Sequence, residues 1–593
     1  MDFDPAALGL MVGLEIHQQL GERKLFCQCR AEIVEDEPSI IVKRQLRAAA
    51  GETGAIDIAA AAEQKKQKVF EYQARAGTSC LVELDEEPPH PVNEEVMTTA
   101  IMVGKALGST ILPKVQFMRK TIVDGSAVAG FQRTGLFALG GTIPETDVRI
   151  QAISVEEDSS KIIKKTASKD TYNLSRLGIP LLEISTMPDI KSPEQAKDVA
   201  AALGMVLRST KRVKRGLGTI RQDLNISIRG GVRNEIKGCQ DLKMIPKIVM
   251  YEAIRQQTLL QLRETLPAIE ASKPIDVTDA CKTGKGFIQK ALAAGQKAIG
   301  VRLTGFHGIL GRELCPGYRL GTELADLIKP RGFGGIIHSD EDMSKYGLDL
   351  KDVFCCQDND AFLLVIGEEK KSQEVLTNVI IPRLQQMKET IPQEVRKAND
   401  DGTTSYLRPI PGAARMYPET DIPIVRVETR GVAQPKLLTE QTKELIQKYD
   451  ISKDHAQALV KDGIDFEAYV QQHPKLEPTF IANALTQYGR DILSRYKKEI
   501  AITQHIDTLF TAAEEEKIPK DAIFELLVDI AHGKAPNYEK FQQLPEEELK
   551  TIIKNVVDKN PGKPAGALMG DIMQETRGKA DGKRVMQLLQ ELL

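Results

Sequence analysis

The stretch GTIRQDLNISIR (218–229) alternates without a break. Leu224, Ile226 and Ile228 fall on one parity, and Arg221, Asp223, Asn225, Ser227 and Arg229 on the other. Side chains two residues apart share a strand face, so the segment reads as a strand with one face in a core and one face carrying charge of both signs. A few residues on, Arg233, Glu235 and Lys237 alternate with Val232 and Ile236. Two such strands side by side would neutralise phosphates through Arg and Lys while placing acids on Mg²⁺. A plain solvated sheet face is the alternative for the outermost residues.

The same period recurs near the N-terminus. In MVGLEIHQQL (11–20), Val12, Leu14 and Ile16 alternate with Gly13, Glu15 and His17. Glu15 and His17 then share a face about 7 Å apart, a spacing that suits a divalent metal carrying nucleotide phosphates. A solvated strand face would give the same alternation. VEEDSSK (155–161) sets three acids in a row, and Glu183 lies between Leu182 and Ile184. A buried carboxylate is costly unless paired or metal-bound; on an edge strand Glu183 would simply face water. In RKTIVDGS (119–126) and FQRT (131–134), Arg119, Lys120 and Arg133 flank a glycine-containing loop, a possible clamp for phosphate or carboxylate. CLVELDEEPPHPVN (80–93) reads as a rigid surface loop.

Composition bounds the rest. At 593 residues the chain exceeds what one core supports, so it is multidomain. Its net charge of −3 excludes an overall basic coat. Residues 208–247 nevertheless hold eleven Lys and Arg against three acids, a local balance of +8 that suits a polyanion. No apolar run approaches the roughly 18 residues of a membrane span, and the opening MDFD is unlike a signal peptide. The eight cysteines are thinly spread and read as reduced thiols of a cytoplasmic protein. Cys27-x-Cys29 alone does not make the four ligands of a structural zinc.

Texture along the chain gives 1–280 as mixed strands and helices, with a helix over 190–215. An α/β insertion follows over 281–400, with a strand at 361–367, and 401–432 returns to the first domain. Helical segments cover 433–540 and 541–593, the last with stripes such as Leu549, Ile552, Ile553, Val556 and Val557. There is no G-x-x-x-x-G-K-[ST], so the chain is not a P-loop ATPase. LGGTIP (139–144), Ser159-Ser160-Lys161 and DMSKY (342–346) each lack the surroundings of the asparaginase, amidase and synthetase motifs they suggest.

In their order along the chain, GLEIH, KLFCQC (24–29), EEDSSK, RLGIPLLEISTMPD (176–189), IRQDLNISIR and RNEIKG resemble the kinase subunit of tRNA-dependent amidotransferases. NPGKPAGALMGDIM (560–573) is similar to that family's tRNA-binding tail. The family has a B form and an archaeal E form. The 281–400 insertion looks like the extra domain of bacterial-type aspartyl-tRNA synthetases, which the E form carries. VKRQLRAAAGETGAIDIAAA (42–61), ELDEEPPHP (83–91) and AARMYPETDIP (413–423) also look like the E form.

The resemblance implies an α+β multidomain fold: a mostly antiparallel-sheet cradle, an inserted aspartyl-tRNA-synthetase-like α/β domain and C-terminal helical domains. It implies ATP- and Mg²⁺-dependent phosphorylation of the γ-carboxylate of Glu on Glu-tRNA(Gln). Ammonia from an asparaginase-like D subunit, in a heterodimer or heterotetramer, then completes Gln-tRNA(Gln). Glu15, His17, Glu157 and Glu183 would hold the metal and carry catalysis. The choice between Glu156 and Glu157 turns on whether their segment is a strand. Arg119, Lys120, Lys161, Arg221, Asp223, Arg233 and Lys237 would bind ATP phosphates. Lys563, Arg577, Lys579, Lys583 and Arg584 would bind tRNA. Some B subunits hold zinc through four cysteines; only Cys27 and Cys29 match here, so no zinc is expected. A non-catalytic tRNA-binding scaffold is the alternative reading. A synthetase is suggested by the insertion alone.

Overall fold

The strand predicted from the 11–20 alternation runs from Met11 to Gln19 and lies near the middle of an eleven-stranded sheet. In the computed structural model, which describes residues 3–45, 68–122, 124–166, 168–410, 416–541, 544–561, 563–576, 579–580 and 582–592, two compact units divide at residue 435/436.

In the first unit the main sheet runs in the order 404–409, 394–398, 234–237, 220–227, 11–19, 180–186, 150–157, 131–139, 117–121 and 416–417, with 110–111 added beside 131–139. Every neighbouring pair is antiparallel except 234–237 with 394–398. Val12, Leu14 and Ile16 point into the core, all nearly fully buried, which fixes the register, since a slip of one residue would expose them. The helix expected over 190–215 is Pro193–Ser209. The Ser192 hydroxyl caps it by accepting from Gln195 N at 3.1 Å, and its proline sits in the first turn, where no N–H is needed. Lys211–Arg215 lie beyond its end, in the loop before the 220–227 strand. The helix Ile245–Thr265 packs against Pro193–Ser209 and the 220–227 strand. A second sheet, ordered 40–44, 69–74, 169–173 and 161–165, closes over Phe70, Tyr72 and Tyr172.

The insertion carries a sheet of its own, 275–276, 297–303, 361–367 and 337–338, with antiparallel pairs throughout. The boundary expected at 400 moves. Glu394–Ala398 pairs with Asn234–Lys237, so the return to the main sheet begins with that strand. Nor does the insertion have a wholly separate core, because Ile254, Leu259 and Leu262 of the Ile245–Thr265 helix pack with Val301, Leu324 and Leu363.

The second unit is helical. Residues 436–541 gather around Leu459, Ile481, Leu509, Phe510 and Leu526. The last three helices, Glu546–Lys559, Ala565–Thr576 and Gly582–Leu592, close around Ile553, Ile572, Val585 and Leu589. Among the described residues no helix is long and apolar enough to cross a membrane.

Candidate functional site

Strand register decides which charges meet. Across the central strand, His17 lies opposite Glu183 on one side and Arg221 on the other, while Glu15 lies opposite Ser185 and Asp223. Facing residues of paired strands share a face, so these side chains line one side of the sheet. Glu183 faces Ser154, and Glu156 is two residues further along the same strand. Thr134 faces Glu156 and Lys120 faces Gln132, which extends the same face outward.

The result is three carboxylates around one imidazole. His17 Nε2 stands 3.2 Å from Glu183 Oε2, 3.4 Å from Glu15 Oε1 and 3.5 Å from Glu156 Oε1. Lys120 Nζ is 3.7 Å from Glu156 and 3.9 Å from Glu183. Thr134 Oγ1 donates to Glu156 Oε2 at 3.1 Å. Glu156 is buried, while Glu15 and Glu183 keep a quarter to a fifth of their side-chain surface open. The approach of Glu183 Oε2 to the imidazole is a charge contact out of hydrogen-bond alignment, so this buried oxygen lacks a hydrogen-bond donor.

The electrostatics follow from crowding of like charges. Burial, then the nearby Glu183 charge, pushes the Glu15 carboxyl up to about 7. Burial alone would lower His17, but its contact with Glu183 and the Glu156 and Glu15 charges outweigh it and hold the imidazolium up to about 9. Burial also raises Glu156, partly opposed by Lys120. The crowded carboxylates therefore favour the protonated imidazole, and a cation that took His17 as a ligand would displace that proton. One donor atom each from Glu15, His17 and Glu183 lie within 4.8 Å of one another. A set of carboxylate oxygens with one imidazole, and a buried oxygen left without a donor, fits a hard divalent cation such as Mg²⁺ or Mn²⁺.

Glu157 points away from this cluster, which corrects its expected place there. It is the next residue on a strand and so falls on the opposite face, where Arg133 Nη1 donates to it at 3.2 Å and Arg133 N–H also reaches it. Arg133 is held in turn by Asp421 at 2.7 Å. Arg119 shares that reverse face, 3.5 Å from Asp421 and stacked over Phe131 at 4.5 Å. Of the expected clamp, Lys120 alone faces the carboxylates.

The other predicted phosphate ligands divide. Asp223 accepts from Lys237 Nζ at 2.7 Å beside Glu15, and Arg221 donates to buried Asp158 at 2.9 Å; both pairs flank the cluster. Asp158 also accepts from Gln19 at 2.7 Å, a role no sequence pattern marked. Arg233 is exposed just ahead of the Asn234–Lys237 strand. Lys161 belongs to the second sheet and pairs with Glu35, so it does not join the cluster. In the tail, Lys563 pairs with Asp571 at 2.9 Å, Arg584 pairs with Glu546 at 2.7 Å and Lys579 is exposed. Arg577 and the Lys583 side chain lie outside the described residues, as do 46–61 of the 42–61 segment and 413–415 of 413–423.

The 80–93 segment is only partly the expected surface loop. Its acidic end is exposed, but Glu83 is buried beside Cys27, Cys29 and Cys80, all four with donor atoms within 4.8 Å of one another.

Known proteins resemble this chain from end to end. A family model described as the GatB/GatE catalytic domain matches residues 10–433, and one described as a GatB domain matches 464–593. The E subunit of the glutamyl-tRNA(Gln) amidotransferase of Sulfurisphaera tokodaii is 41% identical, with 100% of each chain covered. The E subunits of the same enzyme from Saccharolobus solfataricus and Methanococcus maripaludis are 41% and 40% identical, covering 99% and 100% of this chain and 98% and 99% of their own.

Proposed function

Since the chain belongs to the GatB/GatE family, we propose that it activates the γ-carboxylate of glutamate on Glu-tRNA(Gln) with ATP and directs its amidation to Gln-tRNA(Gln). The reading is carried by one observation: Glu15, His17, Glu156 and Glu183 converge on one face of the central sheet, with Lys120 against them. A scaffold that only bound tRNA would have no use for costly carboxylates gathered this closely.

A carboxylate resists ammonia because its oxygen is a poor leaving group. A γ-carboxylate oxygen of the tRNA-bound glutamate attacks the terminal phosphorus of ATP, the bond to the β-phosphate oxygen breaks and ADP leaves. Ammonia then attacks the acyl carbon, phosphate departs with its electron pair and the nitrogen loses a proton. Transfer of this kind is achieved by positioning and charge neutralisation more than by covalent chemistry. Glu15, His17, Glu156 and Glu183 would hold Mg²⁺, which supplies neutralisation of the phosphates. Lys120 sets an ammonium group beside them, and Arg221 and Lys237, each oriented by an aspartate, hold cationic hydrogen-bond donors in fixed positions at the flank. The reading includes an asparaginase-like D subunit as the source of ammonia. The tail helices and the aspartyl-tRNA-synthetase-like insertion would grip the tRNA.

Trapping the activated acyl group tests this. With ATP, Mg²⁺ and Glu-tRNA(Gln), hydroxylamine should intercept γ-glutamyl phosphate as the hydroxamate, one per ADP released. ADP release that is independent of the aminoacyl-tRNA and gives no hydroxamate would contradict the proposal.

A further inference from the structure

The loop between the helix Pro193–Ser209 and the strand Ile220–Ser227 belongs to the basic stretch 208–247, yet the carboxylate cluster uses none of its charge. Both legs of the loop are fixed. The Lys214 N–H donates to the Gln19 carbonyl at 3.0 Å, and the Gln19 N–H donates to the Thr219 carbonyl at 2.8 Å. The buried Gln18 amide donates to the Lys214 carbonyl at 3.0 Å and reaches that of Thr219 at 3.2 Å. The Thr219 hydroxyl closes the tip by donating to the Gly216 carbonyl at 2.8 Å. Gly216 and Gly218 hold φ of +113° and +82°, a backbone that suits residues without a Cβ. Leu217, between them, is fully exposed.

Lys211, Arg212 and Arg215 are exposed and Lys214 is half-buried. Among the described residues none of these four side chains is taken up in an ion pair. Burial, then the Arg215 charge, lowers the Arg208 guanidinium, so like charges stand together here. A single exposed apolar side chain is ordinary on a protein surface. One raised on a braced tip, with four uncommitted cations along the same loop, is the combination that holds unpaired nucleotides. Positive charge tracks the phosphates and the apolar side chain meets the bases.

Position decides which nucleotides. Arg221, just inside the strand, lies opposite His17. Leu217 comes four residues earlier, so its Cα is within about 14 Å of the Arg221 Cα. An RNA whose esterified 3′ end presents a carboxylate to Glu15, His17 and Glu183 must bring its last nucleotides to this edge. We propose that residues 211–218 seat the single-stranded 3′ end of the aminoacyl-RNA, with Leu217 stacked on its bases and Lys211, Arg212, Lys214 and Arg215 against its phosphates. The inference rests on the proposed function, which makes that RNA the substrate. Leu217 is a positioning residue: it acts on the glutamyl group through the nucleotides that carry it.

A tRNA(Gln) with 2-aminopurine in place of its 3′-terminal adenine reports the stacking of that end. Binding to the full-length chain should change its fluorescence. Leu217→Ala should abolish the change while affinity by filter binding stays within about twofold of wild type, because phosphate contacts set most of it. Leu217→Ala should also slow single-turnover transfer from ATP at saturating Glu-tRNA(Gln) by about tenfold or more, with ATP affinity unchanged. Leu217→Met keeps an apolar tip and should recover most of both. An exposed side chain contributes little to stability, so these variants should unfold in urea as wild type does. Arg212→Gln combined with Arg215→Gln should lower the slope of log affinity against log salt by about 1.4, or about 0.7 for each contact to a single strand. A wild-type fluorescence change or transfer rate in Leu217→Ala, or a wild-type salt slope in the paired variant, would overturn the inference. Hydroxamate formation by a wild-type chain whose binding leaves the fluorescence unchanged would overturn it and leave the proposed function standing. A chain that binds the RNA and forms no hydroxamate would overturn the proposed function, and this inference with it.

Discussion

Glu156 and Glu157 are adjacent in the chain and serve opposite sides of one sheet. Glu156 meets His17 and Lys120, whereas Glu157 neutralises Arg133. Glu156→Gln should slow phosphoryl transfer from ATP by about a hundredfold or more, because it removes charge from the cluster proposed to hold the nucleotide's metal. The same variant should unfold in urea close to wild type. Glu157→Gln should do the reverse, costing about 3–5 kcal/mol of stability by leaving Arg133 short of a buried partner. Single-turnover ADP formation and urea midpoints on both variants check this, and the opposite pattern would exchange the two roles. His17→Ala and Glu183→Gln should abolish transfer while tRNA affinity, measured by filter binding, stays near wild type. The alternation at 11–17 and 220–228 was legible in the sequence because each strand repeats its own period. The choice between Glu156 and Glu157 was not, since it depends on pairing with 180–186, and neither was the meeting of Cys80 and Glu83 with Cys27.

At the scale of elements, the helix Ile245–Thr265 has no clear apolar stripe because its buried face carries ions. Glu252 and Arg255 pair at 2.9 Å, and Arg255 reaches Glu323 of the insertion at 3.1 Å. Arg396, fully buried in the returning strand, donates to Glu323 at 2.9 Å. No local pattern announces this network, since its members come from three separated segments. It also explains why the boundary at 400 moved: the strand that carries Arg396 serves the main sheet and the insertion together. Burial pushes Glu252 and Glu323 up, but Arg255 and Arg396 outweigh it and hold both at about 2, against an ordinary 4.5. A carboxyl depressed in the folded state binds fewer protons there than in the unfolded chain. Its stabilisation is complete above about 4.5 and is lost as pH falls toward about 2. Glu252→Gln should cost about 3–5 kcal/mol at neutral pH. The gap to wild type in chemical denaturation should narrow near pH 3, and a gap that does not narrow would count against the network.

At the scale of the whole molecule, the helical unit has cores of its own and the final three helices form a distinct one. Phe541 packs into the preceding helices, so the cut that removes the tail cleanly falls after it. Truncation there should weaken tRNA binding and flatten its salt dependence by several phosphate contacts, while transfer survives at saturating tRNA. A truncated chain with unchanged affinity and salt slope would place tRNA recognition elsewhere. The most direct measurement gives the purified chain ATP, Mg²⁺ and Glu-tRNA(Gln), with ammonium chloride, asparagine or glutamine as the nitrogen source. Gln-tRNA(Gln) should form with ammonium alone, one ADP per glutamine made, and neither amide should serve without a partner. Failure of free ammonium to yield Gln-tRNA(Gln), or its formation from asparagine by this chain alone, would contradict the account.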